Sequence, residues 1–128
     1  MTPKLRVWIV FGDALKFGSG RAQLLEMIDA RGSLRQAAQA LDMSYRNAWG
    51  YLRQLERAAG FRFVERAPGG RPRGGMRLTP RGREFLARYW KFQKSLDAAS
   101  TRRFARFFGG GALRRRASPR SPARSAPG

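Results

Sequence analysis

The chain has 128 residues and a net charge of +19, from 27 Lys and Arg against 8 Asp and Glu. At roughly 100–200 residues per domain this is one domain plus at most a tail. It contains no Cys and no His, which excludes disulfides, thiolate nucleophiles, imidazole–metal sites and Ser-His-Asp catalysis.

Twenty-three of the 27 cations are Arg. Arg is the side chain suited to bidentate recognition of phosphate and guanine, so the skew points to a polyanionic partner. The eight scattered carboxylates offer no convincing acid/base pair. No catalytic residue, cofactor or metal is therefore expected, and the chain is read as a non-enzyme. No apolar run approaches the roughly 20 residues of a membrane span. The N-terminus lacks the basic, apolar, small-residue order of a signal peptide. A soluble intracellular protein is the expectation.

Leu5, Val7, Ile9 and Phe11 alternate with Lys4, Arg6, Trp8 and Val10, which predicts a strand that Gly12-Asp13 ends. A loop through Lys16–Gly20 leads to a helix near Arg21–Ala30. Its apolar face is Leu24, Leu25 and Ile28, and Gly32 stops it. Ser33 can cap a helix over Leu34–Leu41, and Asp42-Met43 makes a tight turn. Ser44 caps a third helix running to about Ala59, with Gly60 as its stop. Strands at Arg62–Arg66 and Met76–Leu78 flank a Gly/Pro/Arg loop over 67–75. Thr79-Pro80 opens a last helix that runs to about Ser100.

This order predicts a mainly α fold with a small β-hairpin wing: a winged helix-turn-helix over residues 1–100 with a long C-terminal helix. Residues 101–128 hold eight Arg and no acid and fit a disordered basic tail, which leaves +11 on the first 100 residues.

The third helix, 44–59, carries the sharpest functional signal. Ala48, Leu52, Leu55 and Ala59 share one face, and Arg46, Gly50, Arg53 and Arg57 share the opposite one, with Asn47 and Gln54 beside them. Arg pairs with guanine O6/N7, and Asn or Gln with adenine, so this stripe suits a major groove. Gly50 lowers helix propensity by about 1 kcal/mol relative to Ala and would let the helix axis approach the base edges. A plain solvated face would mix in more acid, and Glu56 is the one acidic residue of this helix. Ser44 and Tyr45 stand at the helix start. Tyr45, Trp49 and Tyr51 fit either packing against neighbouring helices or, for Tyr45 above all, contact with phosphate or a thymine methyl.

In the wing, Arg71 and Arg73 flank Pro72 between glycines, an arm suited to a narrow minor groove and similar to the Gly-Arg-Pro core of AT-hook peptides. In the last helix, Phe85, Tyr89, Phe92 and Leu96 recur at spacings of 4, 3 and 4, as in a helix-pairing seam. A homodimer through this seam is expected, with packing across the monomer core as the alternative.

Residues 4–95 resemble the N-terminal domain of ModE, the molybdate-responsive bacterial transcription regulators. The resemblance is carried by Met43-Ser44-Tyr45-Arg46 with Ala48-Trp49, by Gly69-Gly70 in the wing, and by the stretch MRLTPRGREFL. The helix-turn-helix is also similar, more loosely, to that of LysR-type regulators. The resemblance implies a winged-helix domain that binds double-stranded DNA as a dimer, with the recognition helix starting at Ser44-Tyr45-Arg46. Two departures stand out. Arg71-Pro72-Arg73 occupies a wing tip that is mostly Gly in the family, and the residues after 100 cannot form the family's molybdate-binding module. Molybdate binding is not expected in this chain.

A sequence-specific transcription regulator is thus the first expectation. A sequence-tolerant architectural DNA-binding protein is one alternative, and a winged-helix protein-interaction module is another.

Overall fold

The computed structural model describes residues 1–12, 15–67 and 75–109. Arg71, Arg73 and the wing tip lie outside the described residues, as do residues 110–128. The chain divides into two units, residues 6–92 and residues 1–5 together with those from 93 onward.

The larger unit opens with strands β1 (Ile9–Phe11) and β2 (Leu15–Phe17), paired antiparallel with Ile9 opposite Phe17 and Phe11 opposite Leu15. The predicted strand is real but short, and its alternation holds, with Ile9 and Phe11 half-buried and Val10 exposed. Its partner β2 falls where the sequence suggested a loop. Three residues are too few to show a period, yet they bury Phe17 completely.

Helices α1 (Ser19–Arg31), α2 (Leu34–Ala40) and α3 (Tyr45–Ala59) follow as expected. Gly32 and Gly60, both left-handed at φ 76° and 81°, close α1 and α3. The Ser33 hydroxyl accepts from Gln36 N at 3.0 Å, and the Ser44 hydroxyl accepts from Asn47 N at 3.0 Å. Each cap satisfies an amide that the first turn leaves without a helical partner. Between α2 and α3, Asp42 takes φ 57° and Met43 N donates to Ala38 O at 2.9 Å, which makes the tight turn. Asp is one of the few side chains that enters this region at modest cost.

Strands β3 (Val64–Arg66) and β4 (Met76–Leu78) pair antiparallel and form the stem of the wing. Thr79 then caps α4 (Pro80–Phe108), its hydroxyl accepting from Gly82 N at 2.9 Å. No proline interrupts the sequence between Pro80 and Phe108, and the helix ends at Gly109. It therefore runs eight residues past the expected end at Ser100, and residues 101–108, assigned to a disordered tail from composition, are helical.

The core of the larger unit joins Leu24, Leu25 and Ile28 of α1 to Leu34, Ala37 and Ala38 of α2 and Ala48, Leu52 and Leu55 of α3. Phe17, Phe63, Leu78, Leu86 and Tyr89 close it. The helical seam needs correction here. Phe85 packs on Phe11, Phe17 and Phe63 with ring centroids at 5.6, 5.0 and 5.5 Å. Tyr89 is 2 % exposed and meets Phe17 edge-on at 5.0 Å. Tyr89 is thus buried in the core of the larger unit and Phe85, half-buried, packs against it, which is the packing across the monomer that the sequence left as the alternative. Phe17 of β2 meets both rings edge-on, and Phe63, just before β3, meets Phe85 in the same way.

In the smaller unit, Leu96 lines an apolar groove of about 400 Å³ with Pro3, Leu5, Ala99, Phe104 and Phe107. Gln93 donates to Leu5 O at 3.4 Å and to Asp97 Oδ1 at 3.2 Å.

Candidate nucleic-acid interface

The α3 helix buries Ala48, Leu52 and Leu55 and turns Arg46, Asn47, Gly50, Arg53, Gln54 and Arg57 to solvent. Amphipathic spacing dictates this split: once the apolar stripe enters the core, the residues half a turn away must face out. A Cβ placed on Gly50 would meet nothing within 4 Å, so packing does not require a glycine there.

The charges of this face are uncompensated. Ion pairs join Arg62 to Glu56, Arg77 to Glu65, Arg83 to Asp29 and Arg88 to Glu84. Among the described residues, none engages Arg46, Arg53 or Arg57. Glu56 lies off the stripe, its Oε2 accepting the backbone N–H groups of Phe63 at 2.6 Å and Val64 at 3.1 Å. The acids thus brace the scaffold and leave the α3 face positive.

The aromatic residues, open from sequence, are resolved by exposure. Tyr45, Trp49 and Tyr51 are 43, 39 and 41 % exposed, so none is buried against a neighbouring helix. Each carries a guanidinium over its ring: Arg35 over Tyr45 at 4.7 Å, Arg53 over Trp49 at 5.9 Å and Arg21 over Tyr51 at 4.3 Å. Such pairs contribute about 0.5–1 kcal/mol at exposed sites and hold long side chains in place. Arg35 and Arg21 widen the cationic surface beyond α3. Sequence reasoning missed both, because each comes from another helix and spacing along α3 cannot reveal them.

Arg21 is the most engaged of these cations. It donates to Lys16 O at 3.0 Å and to Gln54 Oε1 at 3.1 Å, and burial pulls its pKa below the ordinary value. Ser44 is committed as the cap of α3. Of the four seam residues, Phe92 is exposed and Leu96 half-buried, while Tyr89 lies in the core and Phe85 packs against it.

A capped helix bearing an uncompensated Arg stripe, preceded by a tight turn and a short helix and followed by a β-hairpin, defines a winged helix-turn-helix domain. The chain belongs to the bacterial regulatory helix-turn-helix proteins of the lysR family, which match residues 20–83, half of its length.

More particularly, it is similar to the molybdenum transport protein ModE of Azotobacter vinelandii, with 37 % identity over 64 % of this chain and 32 % of the relative. It is also similar to the transcriptional regulator ModE of Haemophilus influenzae, with 31 % identity over 67 % of this chain and 34 % of the relative. The chain spans about a third of the length of these curated relatives. Among solved structures, the DNA-binding domain of CbnR in a DNA complex shares the fold. Its TM-score is 0.52 at 21 % identity, covering 67 % of this chain and 93 % of that one.

Proposed function

We propose that this chain is a sequence-specific DNA-binding transcription regulator that lays α3 in a major groove and brings its wing, residues 67–75, to the adjacent minor groove. The observation that carries this reading is the α3 face itself, where Arg46, Arg53 and Arg57 surround a bare Gly50 and, among the described residues, have no acidic partner. Arg46, Asn47, Gly50 and Arg53 would stand nearest the bases, with Tyr45, Arg57, Arg71 and Arg73 on the backbone or minor groove. Phosphate contacts set register, and base contacts set specificity.

The protein acts in the cytoplasm, on the nucleoid, as a homodimer joined through α4, where Phe92 is exposed. The names of the similar ModE proteins favour genes of molybdenum handling as its targets. The arginines after residue 108 add sequence-independent affinity by counterion release.

Competition binding tests the proposal. A regulator should prefer its selected site by roughly 10³-fold or more over random duplex at physiological salt. Arg46→Ala should weaken that site by about 1–3 kcal/mol and relax one base position. Equal affinity for selected and random duplex would point to an architectural binder. No saturable binding would point to a protein-interaction module.

A further inference from the structure

Gln54 is a candidate base-reading residue, and a free carboxamide there would suit adenine by accepting from N6 and donating to N7. The structure constrains it differently. Arg21 Nη2 lies 3.1 Å from Gln54 Oε1, across 33 residues of sequence. A guanidinium only donates, so the atom facing it has to be the carbonyl oxygen and the amide nitrogen has to point away. Arg21 is itself held in place. Its Nη1 donates to Lys16 O at 3.0 Å, and its guanidinium lies 4.3 Å from the Tyr51 ring centroid, one helical turn before Gln54. The residue is half-buried at the start of α1, so its own position is set by β2, α1 and α3 together.

We infer that Arg21 is a positioning residue that locks the Gln54 carboxamide with its NH₂ outward, so that Gln54 reads the O6/N7 acceptor edge of guanine rather than pairing with adenine through two bonds. Guanine offers O6 and N7, and thymine offers O4, to an outward donor. Two adjacent acceptors favour guanine over the single one of thymine, while the two-bond pairing with adenine needs the carbonyl that faces Arg21, and cytosine offers only its amine. Without Arg21 the amide could turn over, and discrimination at that base pair would fall. This inference rests on α3 entering a major groove as proposed above.

The experiment selects bound duplexes from a random pool with the full chain and with Gln54→Ala, Gln54→Glu and Arg21→Met. Wild type should show one position, relaxed by Gln54→Ala, at which a G·C pair is favoured about tenfold over A·T. Gln54→Glu keeps an acceptor for Arg21 but removes the outward donor, and should lose that preference while leaving other positions unchanged. This variant keeps the inference testable even if Arg21→Met fails to fold. Arg21→Met should relax the same position and have no further effect on it in a Gln54→Ala background.

An A·T pair favoured at the Gln54-dependent position would overturn the inference. So would a Gln54→Ala pool with every position intact, or an Arg21→Met variant that loses all sequences equally. A wild-type pool without any enriched site would overturn the regulator reading itself, and this inference with it.

Discussion

Glu56 Oε2 accepts the backbone N–H of Phe63 at 2.6 Å, and in doing so ties the last turn of α3 to the entry of the wing. The same oxygen takes Val64 N at 3.1 Å, so a single carboxylate satisfies two amides next to the core. A half-buried N–H deprived of its acceptor costs about 1–3 kcal/mol. Glu56→Ala should therefore lower unfolding free energy by about that amount, and Glu56→Gln, which keeps an acceptor oxygen, by less. Urea denaturation of the three proteins checks this. Equal losses for Ala and Gln would show that the acceptor is not what matters.

Gly50→Ala separates stability from binding. The added methyl meets nothing within 4 Å, so the helix should gain up to about 1 kcal/mol. The same methyl stands on the surface proposed to approach the base edges and should weaken the selected site. A protein that becomes more stable and binds equally well would place the stripe farther from DNA than proposed.

Phe85 and Phe92 lie seven residues apart on α4 and should behave oppositely. Phe85→Ala removes a ring that touches Phe11, Phe17 and Phe63, and should cost about 3 kcal/mol of stability. Phe92 is 46 % exposed, so Phe92→Asp should leave thermal stability nearly unchanged while dissociating a dimer. Sedimentation velocity distinguishes the cases. An unaltered dimer in the Asp variant, or a wild type that is already monomeric, would remove α4 as the dimer contact at Phe92.

Alkaline pH should expose the burial of Tyr89. Desolvation raises its phenol pKa above the ordinary value of about 10. Well below that value both folded and unfolded chains hold the proton, and stability is unaffected. As pH rises through about 10, the unfolded chain ionises first, so stability falls until the folded phenol ionises too. Urea midpoints at about pH 8 and about pH 10.5 should drop more for wild type than for Tyr89→Phe. Equal drops would show that other groups account for the alkaline loss.

The helices were legible in the sequence because their ends carry local chemistry. Ser33 and Ser44 cap, Gly32 and Gly60 stop, and Thr79-Pro80 starts, each through bonds within a few residues. The core face of α3 was legible from its period for the same reason. What escaped was whatever depends on a distant partner. The 4-3-4 spacing of Phe85, Tyr89, Phe92 and Leu96 signals a buried stripe but not what buries it, and the answer for the first two is Phe17. Leu15-Lys16-Phe17 is too short to announce a strand, and it is one because Ile9–Phe11 lies beside it. Arg21 reaches Gln54 across 33 residues, a contact no spacing rule contains. The reach of α4 past Ser100 was hidden by composition: arginines that suit a tail also suit a helix, and nothing before Gly109 breaks it.

The root of the wing is sewn on several sides. Ala67 N donates to Gly75 O at 3.0 Å, Met76 N to Gly32 O at 2.9 Å, and Thr79 N to Phe63 O at 2.9 Å. The two ends of the intervening stretch are therefore joined whatever sequence connects them. Closing a longer connection adds only about 0.6 kcal/mol per doubling of its length. Residues 67 and 75 thus make a fixed socket on which the connecting sequence can be exchanged. A lineage, or an engineer, could exchange the wing tip for one of different length and charge and retune minor-groove preference. Helix α3 would keep its place.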